Sequence, residues 1–132
     1  MEPKTELELK ANVLLNSVNA INNLAAEKVR GNPDLAIKLV KIIAAFSAEH
    51  DIYQAQRVAM LKDAGAEQIG QQVTIKSNLV TPELTENLDK LYAIVVKLPG
   101  SKVDYTELLA ASVAISTEDV ITLGWLINYW KD

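Results

Sequence analysis

The side chains best suited to proton transfer or metal binding surround His50, the only histidine in the chain, which stands between Glu49 and Asp51. Successive residues on a helix point in different directions, so these three side chains cannot converge on one ion or substrate. A helical metal site uses ligands three or four residues apart, and those positions around His50 hold no acid, histidine or cysteine. We therefore predict a surface or partly buried histidine without a catalytic role, with general-base catalysis as the alternative.

A second candidate site is the pair of acids Glu86 and Asp89, which are three residues apart and share a helix face. Paired carboxylates can transfer protons or bind a hard cation. Glu86 also stands four residues before Lys90, and this stabilising pair explains its position without a site. The chain has no cysteine, which excludes thiolate nucleophiles and sulfur-ligated metals. The sequence thus predicts no catalytic residue, no cofactor and no metal.

Aromatic residues cluster near the C-terminus. If this segment is a helix, Trp125 and Tyr129 share one face and Leu126 and Trp130 share another. Because Trp and Tyr are common in interface hot spots, we expect Trp125 and Tyr129 to form a contact surface for a partner or a second copy. Leu126 and Trp130 are assigned to the core, and core packing of both faces is the alternative. Base stacking is a third option, but only Lys131 supplies a nearby positive charge.

Composition limits the class of protein. The 132 residues, 49% of them hydrophobic, predict one domain over residues 1–132. There is no apolar run long enough for a membrane span and no signal-peptide pattern at the start, which favours the cytoplasm. Residues 1–66 carry as many basic as acidic side chains, so the net charge of −4 lies in residues 67–132. That acidity disfavours nucleic acid as a partner, although four basic residues cluster near residue 31: Lys28, Arg30, Lys38 and Lys41.

Two helices are predicted in the first half. Leu7 and Leu9 alternate with charged residues, which indicates a short strand or the first turn of a helix. Helix one begins at an Asn12 cap and presents an apolar face of Leu14, Val18, Ile21 and Ala25. Gly31, Asn32 and Pro33 end it and begin helix two, which runs for about eight turns to Gly65.

The link between helices one and two is short enough to make them an antiparallel hairpin. Phe46 belongs to the buried face of helix two. A second apolar stripe (Ile37, Val40 and Ala44) makes helix two apolar almost all round up to Ala48, so we expect it to be sandwiched between elements or to lie against a second chain. Beyond Glu49 the pattern becomes one-sided and polar.

Two further helices are predicted in the second half. Helix three is capped by Thr81, carries the face Leu84, Leu88, Leu91 and Val95, and ends near Pro99. The last helix is capped by Ser116 and turns Val120, Leu123, Leu126, Ile127 and Trp130 inward. Val73–Ile75 and Val103–Tyr105 are predicted strands. The fold class is therefore mainly α, a helical hairpin plus two further helices, with a minor sheet of two or three strands.

The order of these elements resembles a group of small late-region proteins of tailed bacteriophages that infect Gram-positive hosts. The resemblance covers the Leu-x-Leu strand, the Asn12-capped helix, the Gly31-Asn32-Pro33 break and the long helix with Glu49 and Tyr53. It extends to the Ser-x-Glu-Asp cap at residue 116 and to the terminal residues Leu123, Trp125, Leu126 and Ile127. The long central loop of many such proteins is short here. The resemblance implies a non-enzymatic role in the virion or infected cell and transfers no functional residue.

We therefore expect a non-enzymatic helical interaction module that self-associates or binds a protein partner, as a component or assembly factor of a larger complex. The alternative is a phage-encoded inhibitor or regulator of a host protein, whose acidic half would mimic nucleic-acid phosphates. Salt separates the two: mimicry weakens as ionic strength rises, whereas an apolar interface changes little.

Overall fold

A computed structural model describes residues 6–70 and 72–129. Within those residues the chain forms six α-helices and three two-stranded sheets, so the predicted mainly α fold with a minor sheet is confirmed. The elements are, in chain order, β1 (Glu6–Lys10), α1 (Ala11–Asn16), α2 (Val18–Ala25), α3 (Pro33–Asp63), β2 (Glu67–Ile69), β3 (Gln72–Thr74), α4 (Pro82–Tyr92), β4 (Val95–Pro99), β5 (Val103–Asp104), α5 (Tyr105–Ala110), α6 (Thr117–Thr122) and β6 (Ile127–Asn128). A single 3₁₀ turn, Ser77–Leu79, precedes α4.

The long helix α3 has the bounds that its sequence predicts. Its N-cap is Asn32, whose side-chain oxygen accepts a hydrogen bond from the backbone N–H of Leu35 at 3.1 Å. Pro33 occupies the first turn, where its missing N–H breaks no intrahelical hydrogen bond. Asp34 near the start and Lys62 near the end complement the helix dipole. Local signals thus set both ends of the longest element.

Helix one is in fact two helices, α1 and α2, which meet at Ser17. The Ser17 hydroxyl donates a hydrogen bond to the carbonyl of Val13 at 2.7 Å, a bond to the preceding turn that bends helices. The expected Asn12 cap is also wrong. Lys10 is the N-cap residue, and the Asn12 side chain instead accepts a hydrogen bond from the N–H of its neighbour Val13. The cause is β1, which runs directly into α1 and leaves no separate cap position.

The predicted antiparallel hairpin is present. At the start of α1, Asn12 and Leu15 line the same surface depression as Arg57, which lies late in α3. Further along the chain, Ser17 meets the same tryptophan as Phe46, which lies about the middle of α3. Residues later in α1 and α2 therefore lie near residues earlier in α3, which is the antiparallel arrangement.

The three predicted strands exist, but they do not form one sheet. Strand β1 pairs antiparallel with β4, β2 with β3, and β5 pairs parallel with β6. The segment of β4 was assigned to helix three, which ends at Tyr92 instead. Val96 and Leu98 alternate with exposed neighbours and are buried, which is the pattern of a strand with one face on the core. The Val95 assignment was wrong because the sequence pattern cannot show the partner strand, β1.

Strand β4 ends against α3. Gly100 has φ of +120°, and a Cβ atom there would lie 3.0 Å from Cγ1 of Ile42. A glycine is therefore required by both the backbone conformation and the closeness of α3. This contact holds the end of the β1–β4 sheet on the buried face of the long helix.

The C-terminal helix is shorter than predicted. Ser116 caps α6 by accepting a hydrogen bond from the N–H of Asp119 at 3.1 Å, as expected, but α6 ends at Thr122. A turn follows, and Ile127 enters β6, where it pairs with Val103. Helix α5, which begins at Tyr105, was not predicted. The core assignment of Trp130 lies outside the described residues.

The indole of Trp125 connects separate parts of the core. Its ring stacks on Phe46, with centroids 5.8 Å apart and planes 6° from parallel. Its Nε1 donates a buried hydrogen bond of 3.2 Å to the hydroxyl oxygen of Ser17, which is fully buried. One side chain therefore joins the C-terminal turn, the α1–α2 junction and α3.

Among the described helices, none combines the length and the apolar composition that a membrane span requires.

Phe46→Ala should destabilise the fold by about 3–5 kcal/mol, because it opens a cavity in the core and removes the stacking partner of Trp125. The measurement is the free energy of unfolding from denaturant titration. Gln56→Ala, at an exposed position of the same helix, is the matched control and should change stability by less than about 1 kcal/mol. Equal effects of the two substitutions would contradict the placement of Phe46 in the core.

Ser17→Ala should destabilise the chain by about 1–3 kcal/mol, because it leaves the buried Nε1–H of Trp125 without an acceptor. In a Trp125→Phe background the same substitution should have a smaller effect, since the orphaned donor is gone. The four free energies of unfolding form a double-mutant cycle that isolates this one bond. Purely additive values would show that the bond contributes nothing.

Candidate interaction surface

The predicted contact surface of Trp125 and Tyr129 is not present as such. Trp125 is only 8% exposed and belongs to the core, so its assignment to a docking surface was wrong. The prediction assumed one helix through residue 130, whereas the helix ends at Thr122 and the face shared by residues four apart no longer exists. The alternative, that Trp125 packs in the core, is the one observed.

Tyr129 is 46% exposed and lies beside an open cavity of about 600 Å³. Its ring contacts that of Tyr105, with centroids 5.1 Å apart. Ile121, which is 75% exposed, lines the same cavity. The side chains that line it are mixed, with apolar residues of α6 and β6 beside the polar Thr117 and Asn128. Tyr129 is thus about half exposed, and its ring packs on that of Tyr105.

The residues considered for chemistry have partners close by in the chain. The His50 ring stacks near Phe46 at a centroid distance of 6.0 Å, and its Nδ1 lies 3.3 Å from the Asp51 carboxylate. Glu86 forms the expected ion pair with Lys90 at 3.4 Å. Within residues 6–70 and 72–129, no group of three or more metal-ligating side chains is close enough to hold an ion.

An exposed apolar stripe runs along the side of α3 turned away from the core, which we call the outer face. Three of its aliphatic side chains are more than half exposed: Ile37 at 55%, Val40 at 67% and Ile52 at 58%. The outer face consists of Ile37, Val40, Lys41, Ala44, Ala48, Asp51, Ile52 and Ala55, all of them exposed. These positions recur every three or four residues, so they form one stripe along the helix.

The opposite side of α3 explains why the outer face is free. Leu35, Leu39, Ile42 and Phe46 are buried against the rest of the chain. They lie about half a turn around the helix from the outer face. The expectation that helix two is sandwiched between elements of its own chain was therefore wrong, since only one of its two apolar stripes is covered.

The sequence predicted the first half of the outer face and missed the second. The pattern predicts the stripe Ile37, Val40 and Ala44, but the prediction of a polar segment beyond Glu49 is wrong on that side of the helix. Ile52 and Ala55 continue the same spacing, with one acid, Asp51, between Ala48 and Ile52. Counting three or four residues on from Ala48 would have found them.

The described chain therefore offers two candidate binding surfaces, the outer face of α3 and the cavity beside Tyr129. The outer face extends over about 27 Å from Ile37 to Ala55 at 1.5 Å per residue. It lies on a helix whose other side is anchored in the core, so its shape is fixed before any partner arrives. No protein-family model, no curated protein and no solved structure matches the chain.

Proposed function

We propose that this protein is a non-enzymatic helical interaction module that binds another protein through the outer face of α3. The observation that carries the proposal is the exposure of Ile37, Val40 and Ile52 along one stripe of a core-anchored helix. Burying such a stripe is favourable by roughly 25 cal/mol for each Å² of apolar surface removed from water. Contiguous apolar patches larger than about a few hundred Å² are rare on monomeric proteins, and such patches mark interaction sites.

The surroundings of the polar candidates support a binding role over a catalytic one. His50 has one side against Phe46 and its Nδ1 beside Asp51, and it does not line the cavity beside Tyr129. Glu86 is paired with the exposed Lys90 on the surface. These side chains pack and pair with their own neighbours along the chain, His50 with Phe46 and Asp51, and Glu86 with Lys90.

The resemblance to late-region phage proteins suggests the setting: a component or assembly factor of a larger complex. The host-inhibitor alternative depends on free acids in the C-terminal half, and several of these have partners. Asp119 accepts a hydrogen bond from the amide of Asn23, and Asp104 accepts one from Asn128. The structure thus gives no particular support to phosphate mimicry.

Val40→Gln should leave the thermal stability of the isolated chain unchanged or slightly higher. Val40 is exposed, and Gln has the better helix propensity. A melt followed by circular dichroism at low protein concentration measures this. A clear loss of stability would mean that Val40 packs within its own chain.

A photo-crosslinking amino acid at position 40, introduced in the native cell, should form protein adducts on irradiation. The same group at Ile69, an equally exposed isoleucine on β2, is the matched control and should form few. Adduct masses reveal whether the partner is a second copy or another protein. Adducts absent at position 40, or equally frequent at both positions, would refute the outer face as the interaction surface.

A further inference from the structure

We infer that the outer face of α3 binds the outer face of a second copy, with the two long helices antiparallel and crossing at the level of residue 46. This inference rests on the proposed function and adds the identity of the partner, the orientation and the register. It follows from the order of residues along the stripe and from two opposite charges within it.

The outer face is nearly symmetric about residue 46 in its chemical character. In an antiparallel pair related by a two-fold axis, facing residues are equally distant from the centre. With the centre at residue 46, Ala44 faces Ala48 of the second copy and, further out, Ile37 faces Ala55. Val40 and Ile52 lie at matching levels on the two flanks of the stripe. Each apolar side chain of the stripe is thus matched in level by an apolar side chain of the second copy.

The centre of the stripe also allows close approach. Ala44 and Ala48 are the smallest side chains of the outer face, and they lie on either side of the proposed axis. Helix axes can approach to about 8 Å where small residues meet. The larger Val40 and Ile52 then fill the space on both sides of the crossing, as small and large residues do across well-packed helix pairs.

The two charges of the outer face favour this register. Lys41 and Asp51 are both exposed, the Asp51 side chain to 83%. They are equally distant from residue 46, so each Lys41 faces Asp51 of the second copy, and symmetry makes two such pairs. Shifting the register by a heptad would place Lys41 opposite Ala44, or Asp51 opposite Ala48, and would lose both pairs.

The same charges disfavour the parallel arrangement. A parallel, in-register pair would put Lys41 beside Lys41 and Asp51 beside Asp51 of the second copy. Like charges placed together are unfavourable, and they select against an alternative pairing more than they change its affinity. Lys41 and Asp51 thus specify both the orientation and the register of the pair, which the apolar side chains alone do not.

Cysteine crosslinking tests the orientation directly, because the chain has no cysteine of its own. Ile37→Cys mixed with Ala55→Cys, two positions on the centre line of the stripe, should form a disulfide-linked dimer under mild oxidation, while each variant alone should not. In the proposed dimer two copies of residue 37 lie roughly 27 Å apart along the axis, beyond the ~7 Å Cα separation that a disulfide spans. Crosslinking of Ile37→Cys alone would indicate a parallel pair and overturn the inference.

Charge reversal tests the register. Lys41→Glu and Asp51→Lys should each raise the dissociation constant of the dimer by about tenfold, and the double variant should restore it. The difference should shrink in high salt. Lys62→Glu makes the same charge change on α3 beyond the outer face and is the control. Single reversals without effect, or a double variant as weak as the singles, would overturn the register.

Sedimentation equilibrium of the unmodified chain, up to its solubility limit, decides whether a second copy binds at all. A dimer whose formation is weakened by Val40→Gln supports the inference. A strict monomer overturns it. If photo-crosslinking at residue 40 then gives adducts with a different protein, the proposed function remains valid. If it gives no such adducts, both the dimer and the proposed function are wrong.

Discussion

The Trp125 indole donates a buried hydrogen bond to Ser17 and stacks on Phe46. The packing of α1, α2 and α3 depends on this constraint. A buried N–H without a partner is costly, so the indole can occupy this position only if the α1–α2 junction presents the Ser17 oxygen. That junction exists because the same hydroxyl donates to the Val13 carbonyl. Because this ring joins three elements, the inner side of α3 is buried in the core. The outer face is consequently exposed on a helix whose position is fixed.

Features specified by neighbouring residues could be predicted from the sequence. Asn32 with Pro33, Thr81 with Pro82 and the Ser116 cap each place a side-chain acceptor and a compatible first turn within a few residues, so the physical cause is contained in the local chain. The same holds for the buried stripe that includes Phe46, whose period is a property of α3 alone. The antiparallel hairpin followed from a short link and two amphipathic helices.

Features that depend on distant partners could not be predicted. Val95 continues the helical spacing of Leu91 in α4, but its pairing with Lys10 in β1 makes it part of a strand. The β-branched run at residues 94–96 is a local signal that also favours a strand. The burial of Ser17 could not be predicted, because its role as an acceptor depends on Trp125, 108 residues away. The docking role given to Trp125 failed because helical spacing was extended past the end of α6 at Thr122.

The pairing of β1 with β4 and of Ser17 with Trp125 also orders events during synthesis. These contacts join residues about 90 and 108 positions apart, so the core closes only after the turn containing Trp125 has left the ribosome. Until then α3, whose ends are set locally, emerges with both its inner and outer sides open to water. Exposed apolar surface of this kind makes incomplete chains prone to misassembly, and the inner side becomes unavailable only when Trp125 covers Phe46.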